Sequence, residues 1–268
     1  IIRRLRGEGV GVDHLRVDGS APTGVMIRER REVGPAEVIY WRTGSAGAQL
    51  VAEDVLDASE AFEAARWLHL TGITPALSAG ASAAVTTAAE LARDRGLAIS
   101  LDINMRRRLW SESEARSALR PLISLSGIVF GSVDELAVVA GLAESIDAGG
   151  QVRAAEAADA VLALGPATVV VKLGADGAMQ RERGDAGISS LSSSPLRVPK
   201  VVDVVGAGDA FCAGYIATRL GGASDDEALR AGNACGAAAV ASLGDQAGLP
   251  TRGELSRLLA SAGADVLR

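Results

Sequence analysis

Short apolar runs alternate with longer alanine-rich stretches along most of this chain of 268 residues. The short runs are rich in β-branched residues and predict strands, whereas the longer stretches predict helices. The predicted strands are Trp67–Leu70, Leu97–Leu101, Gly127–Phe130 and Thr168–Leu173. The predicted helices are Ala81–Arg95, Ser113–Ser124, Asp134–Ala140, Gln151–Leu164, Ala207–Leu220, Asp225–Ser242 and Gly253–Leu259. This alternation is typical of an α/β protein with a doubly wound, mostly parallel sheet.

The pattern changes before Trp67, where two short segments have no helix between them. These segments, Val25–Glu29 and Glu37–Arg42, alternate polar and apolar residues, which predicts an antiparallel pair of strands. We expect them to form a small flap beside the main sheet, within about residues 17–45. A serine-rich segment, Ser189–Pro195, predicts a surface hairpin connection. The whole chain is predicted to form a single α/β domain with this flap.

Composition and charge narrow the class of ligand. Apolar residues make up 48% of the chain and charged residues 22%, which is an ordinary balance for a globular protein. Lys and Arg total 27 against 33 Asp and Glu, so the net charge is −6, and aromatic residues make up 3%. These values argue against a partner that is nucleic acid or a membrane surface. We therefore expect a small-molecule ligand.

Neither a membrane span nor a cysteine or histidine site is predicted. Apolar runs such as Ala137–Ala143 are far shorter than the ~18 residues that a spanning helix needs. No signal-peptide core follows the first residues, so we expect a cytoplasmic protein. Cys212 and Cys235 lie in apolar helical segments and are predicted to be reduced core residues. The two histidines, His14 and His69, indicate no metal site or catalytic triad.

The strongest chemical signal is a glycine-rich turn that follows the β-type run Val201–Val205 and opens an apolar helix. Gly206 and Gly208 would let the backbone approach a phosphate closely, and the free N–H groups of the first helical turn could bind its oxygens. Asp209 lies in that first turn, where the positive end of the helix favours its ionised form. It could therefore accept a proton from a substrate hydroxyl. The plain alternative is a carboxylate that only complements the helix dipole.

Two other glycine motifs do not fit. No G-x-x-x-x-G-K-[ST] sequence occurs, and Phe211 stands where a dinucleotide fingerprint would have its third glycine. An NAD-dependent dehydrogenase is therefore disfavoured.

Residues 203–211, DVVGAGDAF, resemble the D-[TV]-x-G-A-G-D signature of the ribokinase-like (PfkB) carbohydrate kinases. The resemblance implies a ribokinase-like fold with a β lid and a kinase that uses ATP and Mg²⁺. It also implies that Gly206, Ala207 and Gly208 form an anion hole for the transferred phosphoryl group. Asp209 would then be the catalytic base and would contact the substrate.

A second segment, residues 170–178 (VVKLGADGA), resembles the strand-turn-strand nucleotide segment of the same family. The residues that the resemblance places beside the nucleotide are Lys172, Gly174, Asp176 and Gly177. Asn233, on a later helix, resembles a position beside the nucleotide base. The plain alternatives are a hairpin turn with glycines and a solvated asparagine.

Glu135 lies where many members of the family carry an N-x-x-E motif whose glutamate supports a magnesium-phosphate network. Ser132 replaces the asparagine of that motif. The resemblance implies that Glu135 organises a water-bridged Mg²⁺, an ion that prefers oxygen ligands and keeps several waters. The alternative is a capping box, with Ser132 as the N-cap and Glu135 as its partner.

Three further segments resemble the branch of the family that phosphorylates 2-keto-3-deoxygluconate, whose members read P-T-G, Y-x-R-x-G-S-A and D-x-N-x-R-x-x-L-W. In this chain they begin at Pro22, Tyr40 and Asp102. An acid sugar carries a carboxylate, which guanidinium groups bind through charge-assisted hydrogen bonds. The resemblance therefore implies that Arg42, Arg106 and Tyr40 bind a sugar acid.

Alternatives to this specificity stay open. Arg107 and Arg108 are interpreted as a solvated basic turn. A neutral-sugar kinase resembling fructokinases, or a non-catalytic sugar- or nucleotide-binding relative, would also fit the family signature. Gly7–Asp13 resembles a stretch that lies some way into the family's sequences, so we expect this chain to lack the family's N-terminal segment. The exposed flap strands would allow pairing into a homo-oligomer.

Overall fold

The computed structural model describes residues 1–28, 38–142 and 150–264. Its strands are β1 (Val25–Arg28), β2 (Val38–Trp41), β3 (Trp67–Thr71), β4 (Ala98–Asp102), β5 (Ile128–Ser132), β6 (Thr168–Lys172), β7 (Ala178–Gly184) and β8 (Gly187–Ser193). Its helices are α1 (Ile2–Gly7), α2 (Ala52–Asp57), α3 (Ala61–Ala64), α4 (Ala79–Asp94), α5 (Glu112–Leu125), α6 (Val133–Ala140), α7 (Gly150–Leu162), α8 (Ala207–Leu220), α9 (Asp225–Val240) and α10 (Arg252–Ala264). Short 3₁₀ turns lie at Ala46–Gln49, Thr74–Ala76 and Gly174–Asp176.

The main sheet has six strands in the order β3-β4-β5-β6-β7-β8. Strands β3 to β6 are parallel, and β7 and β8 continue the sheet in antiparallel fashion. Because β3 to β6 run in the same direction, their carboxyl ends lie at one edge of the sheet. The polar residues that follow these strands therefore meet at that edge.

Helices cover both faces of this sheet. Alternate residues of the central strands point to opposite faces, so Val129 and Phe130 of β5 belong to different buried clusters. Val129 packs with residues of α4, α5, α6 and α7 on one face. Phe130 packs with Phe211 and Tyr215 of α8 and with Leu229 of α9 on the other face. Apolar burial on both faces explains why these strands read as continuous hydrophobic runs.

The predicted main strands and the predicted helices are found, with boundaries shifted by a few residues. Helices α1, α2 and α3 have no counterpart among the predicted elements. The flap pair is also found as β1 and β2, which pair in antiparallel fashion from Val25 with Trp41 to Arg28 with Val38. The part of the predicted flap at residues 29–37 lies outside the described residues. Cys212 and Cys235 are free and buried, as predicted.

The serine-rich segment 189–195 is not the hairpin connection that its composition predicts. Most of it forms the edge strand β8, and the connection to β7 is the short turn between Gly184 and Gly187. Gly187 has a φ of +113°, which suits glycine and makes the tight turn accessible there. Serine is tolerated on an edge strand because such a strand is largely exposed to water. The backbone hydrogen bonds with β7 therefore outweigh the turn propensity of serine.

The β-type run Val201–Val205 is also not a strand. Asp203 is buried in the middle of it, and its Oδ1 accepts a hydrogen bond from the Val205 N–H at 2.8 Å. The N–H of Val202 donates to the carbonyl of Val240, where α9 ends. Asp203 thus stabilises a turn, because its carboxylate accepts the backbone hydrogen bond that a neighbouring strand would accept in a sheet.

Within the described ranges, no helix is both long enough and apolar enough to cross a membrane.

The contact between α8 and α9 depends on small residues, which generates a stability prediction. A Cβ at Gly214 would lie 2.8 Å from the Ala231 carbonyl oxygen and 2.7 Å from the Cys235 Sγ. We expect Gly214→Ala to lower the free energy of unfolding by about 1–3 kcal/mol, because overpacking forces the helices apart. Urea denaturation would measure this.

Gly253→Ala in α10 is the matched control, because a Cβ there would meet nothing within 4 Å. It should leave stability unchanged or raise it by up to about 1 kcal/mol through helix propensity. Equal unfolding midpoints for the two variants would contradict the packing argument.

Candidate active site

The site lies at the carboxyl edge of the sheet, where the start of α8 meets the segments that follow β4 and β6. Asp102 ends β4 and Lys172 ends β6. Both face α8, because each shares the sheet face of Phe130 and Val170. The Lys172 Nζ donates to the Asp102 Oδ1 at 2.6 Å. This ion pair joins two strands that are separated by β5.

The electrostatics of this pair follow from burial. Asp102 is 1% exposed, and burial raises the pKa of its carboxyl to about 6 although the Lys172 ammonium acts in the opposite direction. Burial alone would lower the pKa of Lys172, but the negative charge on Asp102, the nearby Cys212 and Glu135 and the hydrogen bond to Asp102 together outweigh burial, so the pKa lies above its ordinary value. Both groups are therefore charged at neutral pH.

The glycine-rich turn begins α8 as the sequence predicts. Gly206 is the N-cap residue with a φ of +79°, and a Cβ there would lie 2.8 Å from the Asp245 side chain. Asp203 holds the turn by accepting hydrogen bonds from the N–H groups of Val205 and Gly244. A Cβ at Gly208 would lie 3.3 Å from the Lys172 Nζ. The lysine ammonium thus lies against the first turn of α8.

Asp209 is exposed in this first turn, and one of its oxygens is held by a neighbouring amide. The Asn104 Nδ2 donates to the Asp209 Oδ1 at 3.2 Å. Asn104 is buried and has a φ of +40°, a left-handed conformation that asparagine tolerates better than most residues. The loop after β4 therefore orients the carboxylate while leaving it accessible.

A mostly apolar cavity of about 560 Å³ opens beside the start of α8. Its lining includes Lys172, Gly174 and Gly177 from the end of β6 and the turn after it, together with Ala207 and Gly208. Gly177 has a φ of +93°, and a Cβ there would lie 2.2 Å from the Ser193 carbonyl oxygen, so only glycine fits. Asp176 is exposed on the same turn, outside the lining of the cavity.

Asn233 lines the same cavity and is buried. Its Nδ2 donates to the carbonyl oxygens of Ser193 at 3.1 Å and Ser194 at 3.0 Å. The alternative of a solvated helical asparagine is therefore wrong. The side chain ties α9 to the end of β8 at the wall of the cavity.

A second cavity, of about 670 Å³, lies between the flap and the loop after β4. Tyr40 and Arg42 line it from β2 and the residue that follows, and Arg106 lines it from the loop. The Arg42 guanidinium lies 4.0 Å from the centre of the Tyr40 ring, a cation–π contact. The Arg106 Nη1 donates to the Met105 carbonyl oxygen at 3.1 Å. The structure thus brings the three predicted sugar-acid residues to one cavity.

Glu135 forms the capping box that was the alternative to a magnesium role. Its Oε2 accepts from the Ser132 N–H at 2.8 Å, and the Ser132 Oγ accepts from the Glu135 N–H at 3.3 Å. Its Oε1 accepts from the Met105 N–H at 2.9 Å. Both carboxylate oxygens therefore accept hydrogen bonds from backbone N–H groups. These bonds connect the start of α6 to the loop after β4.

The described residues contain no group of three or more histidine, cysteine, aspartate or glutamate side chains that could hold a metal ion. A Mg²⁺ ion here would need ligands from elsewhere, which suits an ion that is carried by phosphates and water.

Two side chains of the site were not assigned a role from the sequence. Asp102 and Asn104 were recognised only as part of a motif, although a carboxylate at the end of a buried strand is a signal that could have singled out Asp102. Arg108 is exposed, as expected for a solvated basic turn, and its Nη1 also donates to the Val38 carbonyl oxygen of β2 at 2.8 Å. Arg107 is exposed and pairs with Glu112.

Fold and site together place the protein among the ribokinase-like α/β phosphotransferases. Residues 1–252 match the family model described as pfkB family carbohydrate kinase, and the chain belongs to that family. The predicted resemblance and the predicted ribokinase-like fold are confirmed.

Named relatives show how far this similarity extends. The chain is 34% identical to the 2-dehydro-3-deoxygluconokinase of Bacillus subtilis (strain 168), over 97% of this chain and 76% of that relative. It is 29% identical to the fructokinase of Klebsiella pneumoniae, over 95% of this chain and 80% of the relative. Among solved structures, a candidate ribokinase II of E. coli in complex with ATP and Mg²⁺ has a TM-score of 0.82 at 26% identity, covering 97% of this chain and 78% of that one.

The hydrogen bonds of Glu135 generate a second prediction. Glu135→Gln leaves one of the two N–H groups at Ser132 and Met105 without its carboxylate acceptor. We expect the free energy of unfolding to fall by about 1–3 kcal/mol, as for other part-buried donors that lose a charged partner. Chemical denaturation would measure the loss.

Glu114→Gln is the control, because Glu114 forms the same capping box with Ser111 on the exposed end of α5. That substitution should cost less than about 1 kcal/mol, since water replaces the lost acceptor. If the free energy of unfolding falls equally in both variants, the hydrogen bond from the Met105 N–H to Glu135 contributes nothing to stability.

Proposed function

We propose that this chain transfers the γ-phosphoryl group of ATP to a hydroxyl of a sugar acid. The substrate we infer is 2-dehydro-3-deoxygluconate, also called 2-keto-3-deoxygluconate, and the product is its 6-phosphate. The observation that carries this specificity is that Arg42 and Arg106, from two separate segments, line one cavity between the flap and the loop after β4, and Asn104 of that loop binds Asp209 at the start of α8. The name of the Bacillus subtilis relative supports the same substrate.

Arg42 and Arg106 would recognise the carboxylate of the sugar acid. A guanidinium offers paired N–H donors in the plane that a carboxylate needs. Stacking on Tyr40 limits the rotamers of Arg42 and so reduces the entropy lost on binding. A neutral sugar would offer neither cation a carboxylate, which favours the acid sugar as substrate.

Asp209 would act as the general base. Its carboxylate is exposed, lies at the positive end of α8, and is oriented by Asn104. It would accept the proton of the substrate hydroxyl as that oxygen bonds to the γ-phosphorus and the bond to the leaving ADP breaks. The N–H groups of Gly206, Ala207 and Gly208 would stabilise the charge on the transferred group.

The apolar cavity beside α8 would hold the nucleotide. Its volume of about 560 Å³ is in the range of small-molecule sites, and Gly174, Gly177 and Asn233 lie in its wall. Lys172 lines its end next to Gly208, and Asp176 lies on the turn outside it. The E. coli relative in complex with ATP and Mg²⁺ supports this use of the cavity.

Mg²⁺, when bound with the nucleotide, would neutralise charge on the phosphates. The nearby carboxylates of Asp209 and Glu135 fit an ion held mainly by phosphates and water, since Glu135 already binds backbone with both oxygens.

A neutral-sugar kinase is the second candidate function. The similarity to the fructokinase of Klebsiella pneumoniae favours it. Measurement of ADP release with a panel of acid and neutral sugars separates the two functions. Turnover with 2-dehydro-3-deoxygluconate and little turnover with fructose is expected, and the reverse preference would support the second candidate.

Asp209→Asn tests the general base. We expect kcat to fall by about 10²–10⁴-fold, because the amide keeps the shape of the carboxylate but accepts no proton. ATP affinity, measured by calorimetry, should change little. Asp226→Asn is the control, since Asp226 is a first-turn carboxylate of α9 that pairs with Arg230. A near-native kcat for both variants would reduce Asp209 to a helix-end carboxylate.

Arg106→Ala tests the substrate class. We expect kcat/KM for 2-dehydro-3-deoxygluconate to fall about tenfold to hundredfold, as for the loss of one charge-assisted partner. Any turnover of fructose should fall far less, because fructose offers no carboxylate. Arg107→Ala, on the same loop but exposed and paired with Glu112, should behave as wild type. An equal loss for acid and neutral sugars would contradict the sugar-acid assignment.

A further inference from the structure

The buried ion pair between Asp102 and Lys172 is not explained by stability alone. A buried pair costs several kcal/mol per ion in lost hydration, and apolar residues of similar volume often stabilise a protein as well or better. Lys172 also lies next to the positive end of α8, against Gly208, where a cation is unfavourable. The ion pair therefore contributes little to the stability of the fold. The ammonium group and the start of α8 are together suited to binding an anion.

The contacts of Lys172 leave it able to bind such an anion. An ammonium group has three N–H donors, and in the described structure Asp102 accepts one of them. The Lys172 side chain also lines the cavity beside α8, at the end formed by Ala207 and Gly208. The free donors therefore lie where the cavity meets the first turn of the helix.

The position of Asp102 explains how the lysine is held. Strands β4 and β6 are two strand spacings apart, roughly 10 Å, so the Lys172 side chain crosses above β5 to reach the carboxylate. Without that carboxylate, burial would favour the neutral amine or a different rotamer that reaches water. Asp102 thus keeps the side chain both charged and aimed along the edge of the sheet.

We propose that Asp102 is a positioning residue that holds the Lys172 ammonium against the start of α8, where Lys172 contacts the phosphoryl group that is transferred. This proposal rests on the proposed kinase function. It assigns a role to Asp102 and a specific contact to Lys172, which was expected only to lie beside the nucleotide. Lys172 neutralises the oxygens of the phosphoryl group, and Asp102 acts only through Lys172.

The test compares Lys172→Met, Asp102→Asn and the double variant with wild type. Lys172→Met should lower kcat by about 10²–10³-fold, the cost of removing one stabilising donor from a developing charge. Asp102→Asn should lower kcat at least tenfold with the KM for the sugar acid nearly unchanged. The double variant should recover thermal stability, because it holds no unpaired buried charge, yet its kcat should stay as low as that of Lys172→Met.

Asp159→Asn is the matched control, because it breaks the Arg181–Asp159 ion pair away from the site. It should lower the melting temperature while kcat stays at the wild-type value. If the double variant recovers kcat together with stability, the Asp102–Lys172 pair is only structural and the proposal is wrong. The same conclusion follows if Lys172→Met leaves kcat unchanged.

A binding measurement separates this proposal from the kinase function. Calorimetry with ATP and with adenosine requires no sugar substrate. We expect Lys172→Met to weaken ATP binding at least tenfold and adenosine binding little, because adenosine has no phosphates. Unchanged ATP binding would overturn the proposal. Absence of phosphoryl transfer by wild type to any sugar would instead overturn the proposed function, and the ATP result would still decide the role of Lys172.

Discussion

The parallel register of strands β4, β5 and β6 is the constraint on which the site depends. It places Asp102 beside Phe130 and Ser132 beside Lys172, so that both ionic side chains leave the same edge of the sheet on the same face. A slip of one residue in either pairing would turn one of them to the opposite face, into the apolar layer under α4 to α7. The ion pair and the orientation of the segments after β4 and β6 would be lost together.

Two cavities of different character lie near this edge. One is mostly apolar and is lined by Ala207 and Gly208 of α8, by glycine turns and by Asn233, which suits a flat, weakly polar ring and a phosphate chain. The other is lined by arginines from the flap and from the loop after β4. Asp209 follows Gly208 of the first lining and is bound by Asn104, which precedes Met105 of the second lining, so the carboxylate connects the elements that line the two cavities.

The flap and the loop after β4 are linked by direct contacts. Arg108 donates to the Val38 carbonyl of β2, and Glu135 holds the Met105 N–H on the same loop. Movement of the flap would therefore displace the loop that carries Arg106. Because Asn104 lies on the same loop and binds Asp209, the position of that carboxylate would change as well. The proposed recognition of the substrate by Arg106 and the orientation of the proposed base by Asn104 therefore depend on one segment of chain.

Local sequence predicted the parallel strands, the longer helices and much of the candidate chemistry. The apolar runs predicted the parallel strands, because these strands are buried on both faces, and the glycine spacing before Asp209 predicted the helix start. The tertiary structure decided what depends on distant partners. Ser189–Pro195 became mostly strand because β7 offers it hydrogen bonds, and Val201–Val205 became a turn because Asp203 bonds to Val205 and Gly244. Asn233 is buried because β8 ends against it, and Lys172 meets Asp102 only because β4 and β6 flank the same strand. The contacts of Asp203 with Gly244, of Asn233 with Ser193 and of Lys172 with Asp102 join residues separated by 40 or more positions, and periodicity and local propensity carry no record of them.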